Sequence, residues 1–287
     1  MADLTNIQID GKKYPFMGTL TQESPIQIYK GKDLKNTTWN DIKNDILAAN
    51  SGTLDLRTKY REGDYKEITF SIEGGAERTM KVIIMGIDTY IGAHGIQHHI
   101  DWIGERVLDW GDSTHWFYTQ TLTSFDECAY MDTWGKYSLN NRIYPCLPSD
   151  LRAVIANKSN YLDKVKINDL ANGIVASGKV WKNMGKLWMP TEYELFGKTI
   201  FGTKYSNGAS RQYQLFNENL NHLRLKHFDE NVSDINGGTY NYWLATPSKI
   251  SSEVCYVQVY PDNIPHVRTT SYNTRGNVYL PLCFRVA

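Results

Sequence analysis

The sequence predicts an α+β fold with short antiparallel sheets, two or more short helices and long loops, preceded by a small N-terminal arm. Three observations predict it. Residues 240–287 read as three short strands separated by polar, turn-forming segments, within Tyr240-Asn241-Tyr242-Trp243-Leu244-Ala245-Thr246-Pro247-Ser248, Val254-Cys255-Tyr256-Val257-Gln258-Val259-Tyr260 and Tyr279-Leu280-Pro281-Leu282-Cys283-Phe284-Arg285-Val286-Ala287. Ile68, Phe70 and Ile72 alternate, and after a Glu73-Gly74-Gly75-Ala76 turn the run Met80-Lys81-Val82-Ile83-Ile84-Met85-Gly86-Ile87 completes a hairpin. Helical spacing appears only in brief stretches, each bounded by a capping residue, glycine or proline.

In chain order, residues 1–35 form the arm. Ile7-Gln8-Ile9, Asp10-Gly11 and Lys12-Lys13-Tyr14 read as strand, tight turn and strand, the design of an attachment or oligomerisation segment. Residues 36–287 hold the lead-in hairpin and the main domain. A helix over 36–50 is capped by Asn36, Thr37 or Thr38, buries Trp39, Ile42, Ile46 and Leu47, and stops at Asn50-Ser51-Gly52. His94 and His98 have the spacing of two ligands on one helix face. Gly92 and Gly95 disfavour a helix and no H-E-x-x-H pattern occurs, so a polar loop leading into a strand such as Trp116-Phe117-Tyr118 is expected, with no metal.

Ser149 or Asp150 caps a helix that buries Leu151, Val154 and Ile155, and residues 158–180 form a hairpin or excursion. Leu187-Trp188-Met189 is a short buried strand. Thr191 then caps a brief helix with Glu192 and Glu194 in its first turn, and Gly197 ends it. Paired glutamates raise the question of glycosidase chemistry, but side chains two apart on a helix diverge, so helix capping is expected. A helical segment is expected within 217–228 and a turn at Asp234-Ile235-Asn236-Gly237-Gly238.

Composition narrows the function. Thirty-one basic and 31 acidic residues give zero formal charge, which argues against a nucleic-acid partner. Nineteen Tyr and eight Trp supply stiff contact area with polar tips, a composition that binding surfaces favour. Cys128, Cys146, Cys255 and Cys283 form no C-x-x-C pair, so no zinc ribbon is expected. No secretory signal or membrane span is legible, so a soluble protein made in a cytosol with reduced thiols is expected; a Cys255–Cys283 disulfide requires those strands to be neighbours and runs against that compartment.

The order of motifs completes the reading. A Leu147-Pro148-x-x-Leu151 helix, then Lys186-Leu187-Trp188-Met189-Pro190-Thr191-Glu192-x-Glu194-Leu195-Phe196-Gly197, Trp243-Leu244-Ala245-Thr246-Pro247-Ser248 and a terminal Cys283-Phe284-Arg285-Val286-Ala287 resemble a domain of uncharacterised function found in phages and prophages of gut bacteria. That domain resembles the C-type-lectin-like fold, which also occurs in sulfatase-modifying enzymes and in variable phage receptor-binding proteins. The resemblance covers residues 36–287 and includes the lead-in Trp39-Asn40-Asp41-Ile42 through Tyr60-Arg61-Glu62-Gly63-Asp64-Tyr65-Lys66.

It implies a virion-associated structural or adhesin protein, not an enzyme and without a cofactor. The arm would contact other virion proteins, the protein would be a homo-oligomer with a trimer favoured, and the ligand would be a host-surface glycan or protein. A capsid-decoration or tail component contacting only virion proteins is the alternative, and a metal- or thiol-dependent enzyme a third. The sulfatase-modifying motif does not match Cys255 or Cys283, so no catalytic residue carries over. By analogy with the variable receptor-binding proteins, the exposed ligand-binding positions are Tyr240, Tyr242, Tyr260, Asn263, His266, Arg268, Tyr272, Asn273, Arg275 and Asn277, with Asn241 and Tyr279 beside them.

Overall fold

The chain divides into two compact units, Met1–Lys30 and Gly31–Ala287. The computed structural model describes residues 6–9, 12–15, 31–108, 128–167, 174–202, 208–227, 240–248, 253–258, 265–271 and 278–287. In the first unit β1 (Asn6–Ile9) pairs antiparallel with β2 (Lys12–Pro15), Ile9 opposite Lys12.

The second unit begins at Gly31, where φ is +70° and an added Cβ would meet the Gly63 carbonyl oxygen at 1.9 Å, a close approach that only glycine permits. Helix α1 (Trp39–Asn50) starts at Thr38, whose hydroxyl accepts the Asp41 amide while the Asp41 carboxylate accepts the Thr38 amide. Its buried face is Trp39, Ile42, Ile46 and Ala49; Leu47, expected there, is 51% exposed because it falls one position off the 3.6-residue stripe. The Trp39 ring meets Trp102 edge-on at 5.1 Å and Phe284 at 5.8 Å, which fixes the helix on the sheet.

Strands β3 (Tyr65–Phe70) and β4 (Arg78–Ile87) form the expected hairpin, with Ile68 and Phe70 buried. The loop after β4 leads into β5 (Ile100–Leu108); Trp116-Phe117-Tyr118 lies outside the described residues. Helix α2 (Trp134–Ser138) runs into a π-helical turn (Leu139–Ile143), followed by α3 (Ser149–Arg152). Pro148, not Ser149 or Asp150, is the N-cap of α3 and offers no side-chain cap, while Asp150 Oδ1, within the first turn, accepts the Leu151 amide at 2.9 Å. Leu151 is buried on the helix, but Ile155 belongs to the short strand β6 (Ile155–Ala156).

A long hairpin follows, β7 (Lys158–Ile167) with β8 (Ile174–Gly185), then β9 (Leu187–Trp188). Helix α4 (Glu192–Phe196) is capped by Thr191 as expected, Glu194 completes a capping box with it, and the helix ends at Gly197 in the left-handed region, φ 65°. The helix expected within 217–228 is instead α5 (Gln214–Glu218), a 3₁₀ turn (Leu220–Leu223) and β10 (Lys226–His227). The turn expected at 234–238 lies outside the described residues.

The C-terminal stretch contains β11 (Asn241–Pro247), β12 (Glu253–Gln258), β13 (His266–Ser271) and β14 (Val278–Val286). The sequence predicts three strands here. The fourth, β13, has no apolar alternation to announce it, because its His, Arg, Thr and Ser side chains mask a pairing that backbone amides make with β12. The main sheet runs β13-β12-β11-β14-β5-β4-β3, with β6, β9 and β10 paired off that path. Apolar β14 lies at its centre, antiparallel to β5 and parallel to the start of β11, and Pro281 is accommodated beside a register shift. Strand β11 separates Cys255 on β12 from Cys283 on β14, and no disulfide links the four cysteines. The unit is a mixed α+β structure, mostly sheet with a few short helices. Among the described residues no helix is long and apolar enough to cross a membrane.

Candidate functional site

A charge buried in an apolar strand needs a partner, because its desolvation is otherwise uncompensated. Arg285 lies between Phe284 and Val286 in β14, and the antiparallel register places it opposite Asp101 in β5. Its Nε donates to Asp101 Oδ1 and its Nη2 to Oδ2, both at 2.7 Å, a bidentate fork. The Tyr213 hydroxyl, just before α5, donates to Asp101 Oδ2 at 2.9 Å and accepts from Lys158 Nζ at 2.7 Å. Lys158 also pairs with Glu194 Oε1, which accepts the Tyr90 hydroxyl at 3.1 Å. The lysine ammonium lies over the rings of Trp188, Tyr213 and Tyr90, 4.6, 5.1 and 5.2 Å from their centroids.

Two cations and two carboxylates thus balance inside the core and join β5, β7, α4, the lead-in to α5 and β14. Gly86 makes room for Tyr213, since a Cβ there would meet its ring at 2.6 Å. The Lys158, Glu194 and Asp101 side chains are 0% exposed. Burial alone would raise the Asp101 carboxyl, but the Arg285 guanidinium outweighs it and holds the group well below the usual carboxylate range. Burial and then the Arg285 charge push His99 down to about 4. The neutral ring donates from Nδ1 to the Gln97 carbonyl at 2.8 Å and accepts the Tyr90 amide at Nε2, 3.4 Å away. Burial drives the Tyr90 and Tyr213 hydroxyls well above their ordinary value. A reaction centre must meet its substrate; this network has the shifted groups of one but is sealed, and its chemistry is that of a brace.

The two glutamates of α4 have separate structural tasks. Glu194 Oε2 accepts the Thr191 amide and hydroxyl at 2.8 and 3.1 Å. Glu192 accepts the amides of Ile200 and Phe201 at 2.9 Å and of Gly202 at 3.0 Å, closing the turn after the helix. Among the described residues no group of three or more His, Cys, Asp and Glu could hold a metal ion; His94 lies in a 3₁₀ turn (Ala93–Gly95), and His98 Nδ1 is 2.8 Å from Asp88.

A different aromatic group lies at the surface. Cross-strand partners Tyr161 on β7 and Trp181 on β8 have ring centroids 5.6 Å apart, tilted by 42°. The His94 imidazole lies flat on Trp181, centroids 4.9 Å apart and planes 5° from parallel. Its backbone is left-handed, φ 50°, ψ 35°, between Gly92 at φ 76° and Gly95 at φ 73°. Behind the indole, Tyr90 meets Trp181 edge-on at 6.4 Å, tying this surface to the buried network.

The ligand-binding positions expected from the sequence separate into three groups. Tyr242 is 0% exposed and Tyr240 8%, so both correct the expectation of exposure: β11 is buried on both faces from Tyr242 onward, and the Tyr240 ring packs edge-on against Tyr279 at 5.3 Å. His266 and Arg268 lie on β13, where Arg268 is exposed and its Nε donates to Gln258 at 3.2 Å. Tyr260, Asn263, Tyr272, Asn273, Arg275 and Asn277 lie outside the described residues. Sequence reasoning missed the brace, although a lone Asp and a lone Arg inside apolar strand runs are its legible signal. It also missed the Trp181 surface, which only the hairpin register reveals. Comparisons with protein-family models, with curated proteins and with solved structures return no match.

Proposed function

We propose that this chain is a virion-associated adhesin without catalytic activity, built on a C-type-lectin-like fold. The segments 259–264 and 272–277 meet a host-surface glycan or protein, and the N-terminal unit attaches to other virion proteins in a homo-oligomer, a trimer by preference. The observation that carries the reading is the burial of β11 and β14, with Arg285 pinning β14 to Asp101 on β5. Strands held this firmly form a stiff base for the segments that join them, and recognition residues concentrate on such connections. The motif order of the sequence supports the phage setting. The burial of the Asp101, Arg285, Lys158 and Glu194 side chains away from solvent supports binding over catalysis.

Simultaneous replacement of Tyr272, Asn273 and Arg275 by Ala is expected to abolish adhesion of the purified protein to host cells while leaving its thermal unfolding unchanged. Adhesion equal to that of the parent protein removes those segments from the binding surface and this reading with them.

A further inference from the structure

We infer that the His94–Trp181–Tyr161 surface is a saccharide-binding site, taking a pyranose ring against its aromatic faces. This inference rests on the preceding one only in taking recognition as the task; it uses none of the same residues.

Three observations carry it. First, Trp181 and Tyr161 are half-buried and His94 is exposed, so the rings are held by packing yet remain accessible. Strand alternation puts Lys158, Asn160 and Leu162 on the buried face of β7 and Tyr161 on the other, opposite Trp181. Second, their polar tips are unpaired. Among the described residues, neither the His94 ring nitrogens, nor the Trp181 indole N–H, nor the Tyr161 hydroxyl makes a hydrogen bond. In the core, Tyr90 and Tyr213 have hydroxyl partners, although the buried Tyr242 hydroxyl and the Trp102 and Trp188 indole N–H groups do not. Third, His94 is held over Trp181 from a left-handed backbone position between two left-handed glycines, an arrangement that costs conformational energy and that no hydrogen bond of the imidazole offsets.

Aromatic faces with adjacent hydrogen-bonding tips match the chemistry of a sugar. Its axial C–H groups form an apolar face, and its hydroxyls both donate and accept. The indole N–H donates, the phenol does either, and the imidazole nitrogens add further hydrogen-bonding capacity. The 42° angle between the Tyr161 and Trp181 rings makes an angled seat instead of a closed stack.

The test is titration of the full-length chain with cello-, malto-, chito- and galacto-oligosaccharides, followed by tryptophan fluorescence and saturation-transfer NMR. At least one series is expected to bind at up to about 10 mM. Trp181→Ala should weaken that binding by about tenfold or more, Trp181→Phe by less. His94→Gly keeps the left-handed backbone unstrained and should also weaken binding, so a fold defect in Trp181→Ala does not decide the matter. The Tyr272/Asn273/Arg275 triple variant should bind these sugars as the parent does. No binding by any series, or binding that Trp181→Ala and His94→Gly both leave intact, overturns the inference. Sugar binding lost only in the triple variant overturns it while sustaining the adhesin reading.

Discussion

Tyr213 and Tyr161 pose the same chemical problem, an aromatic ring with a polar tip, and the fold solves it in opposite ways. In the core, the Tyr213 hydroxyl stands between Lys158 and Asp101, and every charge around it has a counter-charge within contact. On the hairpin, the Tyr161 hydroxyl makes no bond among the described residues and its ring leans on Trp181. Tyr90 spans the two, its hydroxyl on Glu194 and its ring edge-on to Trp181. The lesson is that perturbed groups and aromatic density are poor guides to function until satisfaction is counted. The saturated cluster holds the fold together, and the unsaturated one is available to a ligand.

The sharpest way to break this contrast is to unpair the brace. Arg285→Met leaves the Asp101 carboxylate buried without its guanidinium, and the expected loss is about 3–5 kcal/mol of unfolding free energy in urea titration. A loss of less than about 1 kcal/mol would mean that the pair is dispensable and that the cluster is not a brace. Adding Asp101→Leu to Arg285→Met should recover part of the loss, since removing both charges removes the unpaired one.

Acid tests the same region without mutation. The folded state keeps His99 neutral down to about pH 4, whereas the unfolded chain takes up a proton near its ordinary value of 6.5. Between those values the unfolded state binds more protons, so stability falls as pH falls. The decrease from this group is up to about 3 kcal/mol. Asp101, held low by Arg285, adds a further loss as pH drops below the usual carboxylate range. Urea midpoints at pH 7.5, 6.5, 5.5 and 4.5 should decline in step, and His99→Gln should flatten the decline above pH 5. A profile level from pH 7.5 to 4.5 would show that His99 gains its proton in the folded state as easily as in the unfolded one.

Much of the scaffold is legible where local chemistry and tertiary packing agree. Thr38 and Thr191 announce their helices because a hydroxyl and an acidic residue three positions on satisfy the same two amides wherever they occur. The β3–β4 hairpin shows itself by alternation, and β14 by an apolar run long enough for a central strand. β5 is hidden because Asp101, Glu105 and Arg106 interrupt its apolar pattern; the residue that obscures the strand is the one that Arg285 neutralises from 184 positions away. β13 is hidden for the complementary reason, since its mostly polar side chains show no apolar alternation and Val267 is its one apolar residue, so its pairing with β12 is not legible locally. The candidate surface is least legible of all. His94 draws notice as a metal ligand, while its stacking partner Trp181 lies on a strand whose register no local pattern announces.

The smallest expected effect is the most discriminating, because it applies one atomic deletion to both regions. Tyr213→Phe removes a hydroxyl that donates to Asp101 and accepts from Lys158 within a dry interior, and is expected to cost about 1–3 kcal/mol. Tyr161→Phe removes a hydroxyl with no partner among the described residues and should change stability by less than about 0.5 kcal/mol. Parallel urea titrations of the two variants measure the difference directly. Equal costs would show that the fold engages the Tyr161 hydroxyl as fully as that of Tyr213, and the unsatisfied tips would then no longer distinguish a ligand surface from a scaffold. A large difference leaves the Tyr161 hydroxyl as a group whose hydrogen-bonding capacity the fold does not use.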